Sequence, residues 1–431
     1  MKTYIVFIFN IFLLHIALAE EPQKWTLAPN EVEALFLKQN LQLIAEHMNI
    51  ALADAEILQA KLWDNPNFSI GEFSAWSTTR QREGEREVVP PLSGSFGRNT
   101  QISMELSQLI QISGKRRKLI QREKVSKEMA VQQCEELLRD LKMELRKSIH
   151  EIIYLQAYQK TLEKQIEIFS QLIEKYQHQV AQRNLPKHEL LRLQASLFEL
   201  ENEFQENQIS FNEQLKTIKA LLGLDVSTLL EITGDFRRAL PSPQNMRLAH
   251  LIDTALENRA DIKLSKLQTQ YFEKSLSYEK TQRIPDLTLS LVYDRYGSTW
   301  KDFWGFGLSI DLPILNRNQG NIKTAQINQQ RSQYMARQQQ NKAQHEIAEF
   351  FNNYSKAYDF YNKIDNSNLS TEFDNMLEVY AKNFLNKNIS MLEYIDFMET
   401  YKSNKQILLS AKKNLNIQFE ELQHKTGVDI Q

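Results

Sequence analysis

Hydrophobic and polar residues follow two different rhythms along this chain of 431 residues. In most of the chain, apolar residues recur every three or four positions, which is the spacing of one face of a helix. One such row consists of Leu190, Leu193, Leu197, Leu200, Phe204, Phe211, Leu215, Ile218 and Leu222. A similar row precedes it, from Leu138 to Tyr176. Rows sustained over this length predict long helices that pack as an antiparallel coiled coil.

The positions of glycine and proline also favour long helices. The chain has 12 Gly and 10 Pro, where average composition would give about 50 in total. In a helix interior these residues cost about 1 and 3 kcal/mol relative to alanine. The stretches with few or none of them therefore predict helices at about 30–63, 115–183, 187–222, 244–282, 320–387 and 390–425.

Two patches rich in glycine and proline, 64–114 and 285–320, show a different pattern. Here apolar residues alternate with small or polar ones, and a period of two is typical of strands. The alternating runs are 68–70, 101–107, 286–294 and 304–312. A tilted strand needs about ten residues to cross a membrane. We therefore predict four strands, with one hairpin in each patch.

The aromatic residues indicate where the apolar face of these strands lies. Trp63, Trp76, Trp300 and Trp304 lie in or beside the strands, as do Tyr293 and Tyr296. Aromatic belts of this kind mark the interfaces of membrane barrels. The alternate positions are small or acidic, which suits a water-filled lumen. A soluble sheet with its apolar face in a core remains an alternative explanation for a single hairpin.

The chain contains an internal duplication. Residues 176–226 align without a gap onto 380–430, at an offset of 204. Near the start of each half, Ala34 is matched with Ala255, and Pro66 with Pro285. Each half then reads as a helix, a strand hairpin and a long helical hairpin. The predicted repeats are 20–240, with a strand hairpin at about 67–111, and 241–431, with one at about 286–315.

The first residues have the pattern of an export signal. Lys2 precedes the apolar run from Tyr4 to Leu14, and a small-residue cleavage site ends at Ala19. We therefore predict a cleaved signal peptide over 1–19. No cysteine directly follows this site, so we expect no lipid anchor. No later stretch approaches the roughly 18 apolar residues of a membrane helix.

Composition and motifs exclude several function classes. Lys and Arg number 52 against 54 Asp and Glu, so the chain lacks the basic field of a nucleic-acid-binding protein. A single cysteine, Cys134, excludes a disulfide framework and a thiolate zinc cluster. None of the eight histidines is paired at four-residue spacing, and no phosphate loop or nucleophile elbow occurs. We expect no enzymatic activity, no cofactor and no bound metal.

Four strands cannot close a barrel, and lipid does not tolerate an open sheet edge because its backbone groups would lack partners. Two chains would give a barrel of eight strands, and side chains would nearly fill the lumen of such a barrel. Three chains give twelve strands and a usable pore. The pattern therefore predicts a homotrimer.

With these features together, the chain resembles the TolC family of outer-membrane efflux channels. The passages Leu106–Arg117 and Asp311–Asn321 resemble the strand-to-helix connections of its heavy-metal branch, which serves cobalt–zinc–cadmium export, although Leu109 stands where that branch has proline. The resemblance implies a mainly α-helical fold in which long coiled-coil helices form an α-barrel below a 12-stranded trimeric β-barrel. It also implies an outer-membrane channel in a Gram-negative-type bacterium, which extends into the periplasm and acts as a passive conduit for divalent heavy-metal cations. Its partners would be a periplasmic adaptor, an inner-membrane proton-driven pump and outer-membrane lipid.

Three sets of residues are candidate functional sites. The gate candidates are Glu174, Glu378 and Asp374, whose carboxylates would form rings around a narrowed periplasmic entrance and favour cations. The lumen candidates are Glu105, Asp286 and Asp311. The tips of the helical hairpins, which would contact the adaptor, are Asn184, Leu185, Pro186, Lys187, Asn388, Ile389, Ser390 and Met391. For the gate candidates, a solvated outer helix face is the competing interpretation.

Two other functions remain open at this point. The same type of channel could export drugs or secreted proteins. The chain could instead be a periplasmic coiled-coil adaptor, but an adaptor would have a single helical hairpin flanked by β segments, whereas this chain has two equivalent hairpins.

Overall fold

The computed structural model describes residues 24–71, 102–236, 240–295, 302–386 and 388–430. The helices are α1 (Pro29–Gln39), α2 (Leu41–Lys61), α3 (Lys115–Ala181), α4 (Lys187–Leu222), α5 (Leu248–Asn258), α6 (Ala260–Thr281), α7 (Gln319–Asp365), α8 (Leu369–Leu385) and α9 (Met391–Thr426). The strands are β1 (Lys24–Leu27), β2 (Asn67–Gly71), β3 (Ile102–Ile110), β4 (Leu229–Ile232), β5 (Leu287–Arg295) and β6 (Phe303–Ile310). The predicted signal peptide 1–19, Trp76, Tyr296 and Trp300 lie outside the described residues.

The strands predicted from alternation form one antiparallel sheet in the order β2-β3-β5-β6. The central pair β3·β5 joins the two predicted hairpins, with Leu106 opposite Leu291 and Ile110 opposite Leu287. The short parallel pair of β1 and β4 was not predicted, because four residues are too few to show a period.

Three of the predicted helices are broken, and there the sequence prediction was wrong. The breaks fall at Asn40, at Arg259 and at 366–368, where the chain has no glycine or proline. Asn40 and Arg259 have extended backbone angles, with ψ of 113° and 129°. Asn368 is left-handed, with φ of 53°, a conformation that asparagine tolerates better than most residues. Buried polar side chains and an asparagine turn, rather than glycine or proline, therefore end these helices.

The structure also corrects the alignment of the two halves near their starts. Helices α1 and α5 both have 11 residues. Their buried positions are Val32 and Phe36 in α1, and Leu251 and Ala255 in α5. These positions differ by 219, so Ala255 corresponds to Phe36 and not to Ala34. Later in each half, α4 and α9 begin and end at positions that differ by 204. The repeat boundaries, 20–240 and 241–431, stay predictions.

The chain divides into two compact units, each with segments from both predicted repeats. The tip unit comprises the described residues of Met1–Leu41, Lys142–Leu240 and Ala357–Ile417. The sheet unit comprises those of Gln42–Leu141, Pro241–Lys356 and Gln418–Gln431. Among the described residues, no helix combines the length and the apolar character needed to cross a bilayer.

The core of the tip unit confirms the predicted coiled-coil seam. Leu193, Leu162 and Phe169 are buried there, as their spacing of three and four requires. Aromatic rings from the second hairpin complete this core: Phe384 stacks on Tyr394 with ring centres 4.6 Å apart. Burial of its ring raises the pKa of Tyr394 to about 12, so its hydroxyl stays protonated at physiological pH.

Candidate functional site

The sheet of the sheet unit has two chemically different faces. On one face most rows across the strands are apolar, such as Leu106, Leu291 and Phe306, and the polar exceptions are Gln108 and Arg295. These side chains are not covered as a core would be: Phe306 is 92% exposed and Trp304 is 63% exposed. An exposed apolar surface of this kind marks a site of contact with a membrane or with another protein.

The opposite face is lined mostly by small and polar residues, with Leu109, Val292 and Phe303 as its larger apolar members. Glu105 lies on this face, level with Ser69 and Val292, and no described residue forms an ion pair with it. Gly307 packs closely there, because a Cβ atom on it would lie 2.3 Å from the Ser290 hydroxyl oxygen. This face therefore combines a free carboxylate with a surface of small side chains.

The structure contradicts the prediction for Asp286 and shows Asp311 outside the strands. Asp286 precedes β5, and its Oδ2 accepts a 2.8 Å hydrogen bond from the Nζ of Lys115. The Lys115 side chain is only 6% exposed, and a buried ammonium needs a counter-charge. Asp286 thus neutralises the start of α3 and does not offer a free charge to a lumen. Asp311 follows β6, is exposed, and has no ion-pair partner among the described residues.

Aromatic and cationic side chains meet where the helices join the sheet. The guanidinium of Arg116 lies 3.8 Å from the ring centre of Trp63, which is 60% exposed. In the strands, Tyr293 and Trp304 are neighbours, with ring centres 4.9 Å apart. The two described members of the predicted tryptophan set therefore lie at or beside the sheet, with their rings open to the surroundings.

The tips of the two helical hairpins in the tip unit have the same internal geometry. The backbone N–H of Asn184 donates to the carbonyl oxygen of Gln179, and that of Asn388 donates to Asn383, both at 2.9 Å. The side-chain amides of Asn184 and Asn388 donate to the same two residues. The sequence therefore located both turns correctly, and the two asparagines shape them.

The tip candidates differ in exposure. Asn184, Pro186, Lys187, Asn388 and Ser390 are exposed, whereas Leu185 and Ile389 are half-buried. Met391 is 8% exposed and belongs to the core of the tip unit, so its assignment to the contact surface was wrong. Met391 lies in the first turn of α9 and shares a helix face with the residues three and four positions later. Its side chain therefore points into the core.

Ser390 also has a structural role as the residue that caps α9. The N–H of Glu393 donates to the Ser390 hydroxyl at 3.2 Å, while the Ser390 N–H donates to the Glu393 carboxylate at 2.7 Å. This reciprocal arrangement is a capping box. The hydrogen bonds from the backbone and hydroxyl of Ser390 lower the pKa of Glu393.

The gate candidates separate into two groups. Glu174 and Glu378 are exposed, and no described residue forms an ion pair with either. Asp374 instead accepts hydrogen bonds from the Tyr401 hydroxyl at 3.0 Å and from the Lys405 ammonium at 2.5 Å. Asp374 was predicted to join a ring of carboxylates at the entrance, but its charge is partnered within the chain, because this side chain attaches α8 to α9.

A polar contact that joins three helices of the tip unit was not predicted from the sequence. The Tyr158 hydroxyl donates a short hydrogen bond to Glu203, whose other oxygen accepts from Lys402 at 2.7 Å. These side chains belong to α3, α4 and α9. No local spacing could have revealed this contact, because Glu203 and Lys402 are 199 positions apart.

The metal chemistry of the described part is limited. No group of three or more His, Cys, Asp or Glu side chains converges there as a metal site would require. His178 and His188, beside the first tip, are both exposed.

Comparisons with known proteins agree with this arrangement. The model of the outer membrane efflux protein family matches residues 251–361. The cobalt-zinc-cadmium resistance protein CzcC of Cupriavidus metallidurans is 23% identical over 299 residues, which cover 69% of this chain and 66% of that protein, just under two thirds of its length.

Solved structures show the same fold over nearly the whole chain. The outer membrane channel CmeC of Campylobacter jejuni matches with a TM-score of 0.75 at 15% identity, covering 93% of this chain and 85% of that one. The outer membrane protein VceC of Vibrio cholerae matches with a TM-score of 0.71 at 18% identity, covering 93% and 96%. At these identities, the likeness establishes the fold.

Proposed function

We propose that this chain is a member of the TolC family of outer-membrane efflux proteins and is the outer-membrane channel of a tripartite efflux system. The observation that carries this proposal is the two-faced sheet. Its open apolar face suits the hydrocarbon of a bilayer, and its small, polar face suits a water-filled pore. The chain then acts as a passive conduit from the periplasm to the exterior and catalyses no reaction.

The strand order supports assembly as a homotrimer. Strands β2 and β6 are the two edges of the sheet, and an unpaired edge is costly in lipid. If β6 of each chain pairs with β2 of the next, three chains close a ring of twelve strands, which is wide enough to leave a pore.

The cargo proposed for this channel is divalent heavy-metal cations. The support is the similarity to a protein named for cobalt-zinc-cadmium resistance. The half-buried carboxylate Glu105 and the exposed carboxylates Glu174, Glu378 and Asp311 would favour cations along the path. Family membership further points to a periplasmic adaptor and a proton-driven inner-membrane pump as partners, with the adaptor meeting the exposed tip residues Asn184, Pro186, Lys187, Asn388 and Ser390.

An efflux measurement tests the cargo. A strain lacking this chain should accumulate zinc, cobalt or cadmium and should regain wild-type efflux when the chain is restored. Uptake of a fluorescent drug and secretion of exported proteins are followed in the same strains. Restoration of drug or protein export without any change in metal accumulation would assign the channel to another cargo.

We expect the pair Glu174→Gln and Glu378→Gln to reduce cation selectivity. In a trimer the double variant removes six exposed negative charges, so the ratio of cation to anion permeability should fall by about threefold. The measurement is the reversal potential of single channels in a salt gradient. The matched control is Glu372→Gln, an exposed carboxylate on α8, which should leave the ratio unchanged. An unchanged ratio in the double variant would show that these residues form only a solvated helix face.

A further inference from the structure

The two halves of the chain contain an equivalent joint between their first two helices. Asn40 separates α1 from α2, and Arg259 separates α5 from α6. The two residues are 219 positions apart, and both are buried, at 4% and 7% exposure. Each occurs where the chain leaves helical geometry without a glycine or proline.

Both break residues bond to the same place in their half. The Asn40 side-chain amide donates to the carbonyl oxygen of Leu221 at 2.8 Å. The Arg259 guanidinium donates to that of Lys425 at 3.3 Å. These acceptors lie two residues before Gly223 and Gly427, whose left-handed conformations end α4 and α9. We name Asn40, Leu221 and Gly223 the first joint, and Arg259, Lys425 and Gly427 the second joint.

Each glycine lies directly against its helix break. A Cβ atom on Gly223 would be 3.3 Å from the carbonyl oxygen of Gln39. A Cβ atom on Gly427 would be 3.0 Å from the backbone nitrogen of Arg259. In both joints, the break therefore rests on bare backbone, which only glycine allows at this distance.

The joints differ in charge. Asn40 is neutral, whereas the Arg259 side chain donates to both oxygens of Asp261, at 3.0 and 2.6 Å, and to Glu346 at 2.9 Å. Gln339 donates to Asp261 at 2.6 Å. Burial alone would raise the pKa of Asp261, but the hydrogen bonds and charge of Arg259 keep it below its usual value. The carboxylate thus stays ionised at neutral pH, and a forked pair of this kind is among the stronger polar contacts.

The charged side chains of the second joint connect several helices of the sheet unit. Glu346 and Gln339 belong to α7, and Lys425 belongs to α9. A cavity of about 230 Å³ adjoins them, which is also lined by Glu136 and Asp140 of α3. Arg259 therefore attaches the α5–α6 break to two further helices through charge-assisted hydrogen bonds.

We infer that the ion pairs of Arg259 hold the second joint closed and fix the angle between α5 and α6. The first joint, formed through the neutral side chain of Asn40, opens more readily. One main-chain bond is the same at the two breaks: Asn40 N–H donates to Phe36 and Arg259 N–H to Ala255, both at 3.0 Å. This bond therefore does not distinguish the breaks. The contribution of the Arg259 side chain is measured by comparing the wild-type chain with variants at that joint. This inference does not depend on the transport function.

Amide hydrogen exchange of the full chain in detergent tests the inference. Peptides covering 255–263 should have a protection factor about tenfold higher than peptides covering 36–44. Arg259→Asn gives the second joint the residue of the first, and should bring the two protection factors within about threefold of each other. Arg337→Asn removes an exposed guanidinium from α7 and should change neither.

Glu346→Gln keeps Arg259 and removes one of its counter-ions, so it provides a second variant if Arg259→Asn fails to fold. It should lower protection at 255–263 by about threefold and leave 36–44 unchanged. Equal protection of the two joints in the wild-type chain would overturn the inference. So would unchanged protection at 255–263 in the folded variants.

Discussion

A lysine in place of Phe306 is expected to prevent the chain from accumulating as a trimer in the outer membrane. Phe306 is 92% exposed on the apolar face, in the row with Leu291 and Leu106. A lysine near the bilayer midplane of a membrane barrel costs about 2–4 kcal/mol, and a trimer contains it three times. The measurement is the amount of heat-resistant trimer in detergent-extracted outer membranes.

Ser309→Lys is the matched control for this prediction. Ser309 lies on the same strand, three positions away and on the opposite, polar face, where its partner is Thr288. A lysine there should remain in contact with water, so trimer levels should stay near those of the wild type. Equal loss in both variants would indicate general damage to the strand. Normal levels in both would mean that the apolar face does not meet lipid.

Gly427→Ala is expected to destabilise the chain more than the same change at Gly223 or Gly320. Gly427 has a φ of +76°, and an added Cβ would lie 3.0 Å from the nitrogen and 3.2 Å from the Cα of Arg259. The left-handed conformation costs a non-glycine residue about 1–2 kcal/mol. The new Cβ would also press against backbone atoms, which cannot rotate away as a side chain can. We therefore expect the free energy of unfolding to fall by about 3 kcal/mol. The readout is the apparent melting temperature followed by circular dichroism.

The two other glycines calibrate this result. Gly223→Ala should lower the stability by less, about 1–2 kcal/mol, because the atom nearest to its added Cβ would be a carbonyl oxygen at 3.3 Å. Gly320→Ala should leave the melting temperature unchanged or slightly higher, because Gly320 lies in the first turn of α7 with open space around it. If the Gly427→Ala and Gly320→Ala variants had the same melting temperature, the close packing of Gly427 on the α5–α6 break would be disproved.

Much of the fold could be predicted from the sequence because its elements carry strong local signals. The prediction for α4, 187–222, agrees with the structure at both ends. Its apolar residues keep one spacing over the whole helix, and Gly223 ends it. The strands were found for a similar reason, since alternation in 286–294 and 304–312 continues for long enough to exclude a helix.

The helix breaks could not be predicted because their causes lie far away in sequence. Asn40 and Arg259 end helices through bonds to carbonyls 181 and 166 positions away. The local sequence shows only an asparagine and an arginine, and neither residue is enough by itself to predict a break. The correct alignment of α1 with α5 followed only once the breaks and buried positions were known.

Three of the site predictions, Asp286, Asp374 and Met391, do not fit the structure for a related reason. Asp286 and Asp374 were selected as carboxylates at suitable positions, but each has a lysine partner, Lys115 and Lys405, which sequence spacing does not reveal. Met391 was assigned to a surface turn although it begins the next helix and points into the core. Glu105, Glu174 and Glu378 have no ion-pair partner among the described residues, and their proposed roles stay predictions.

Single-channel recording in planar bilayers, combined with the mass of the purified protein, tests the central proposal most directly. We predict that the mature chain, extracted in detergent, has the mass of three subunits plus detergent and inserts to give stable conductance steps that favour cations. A chain that is monomeric in buffer without detergent, and that produces no conductance when added to bilayers, would contradict the proposal that it forms a channel.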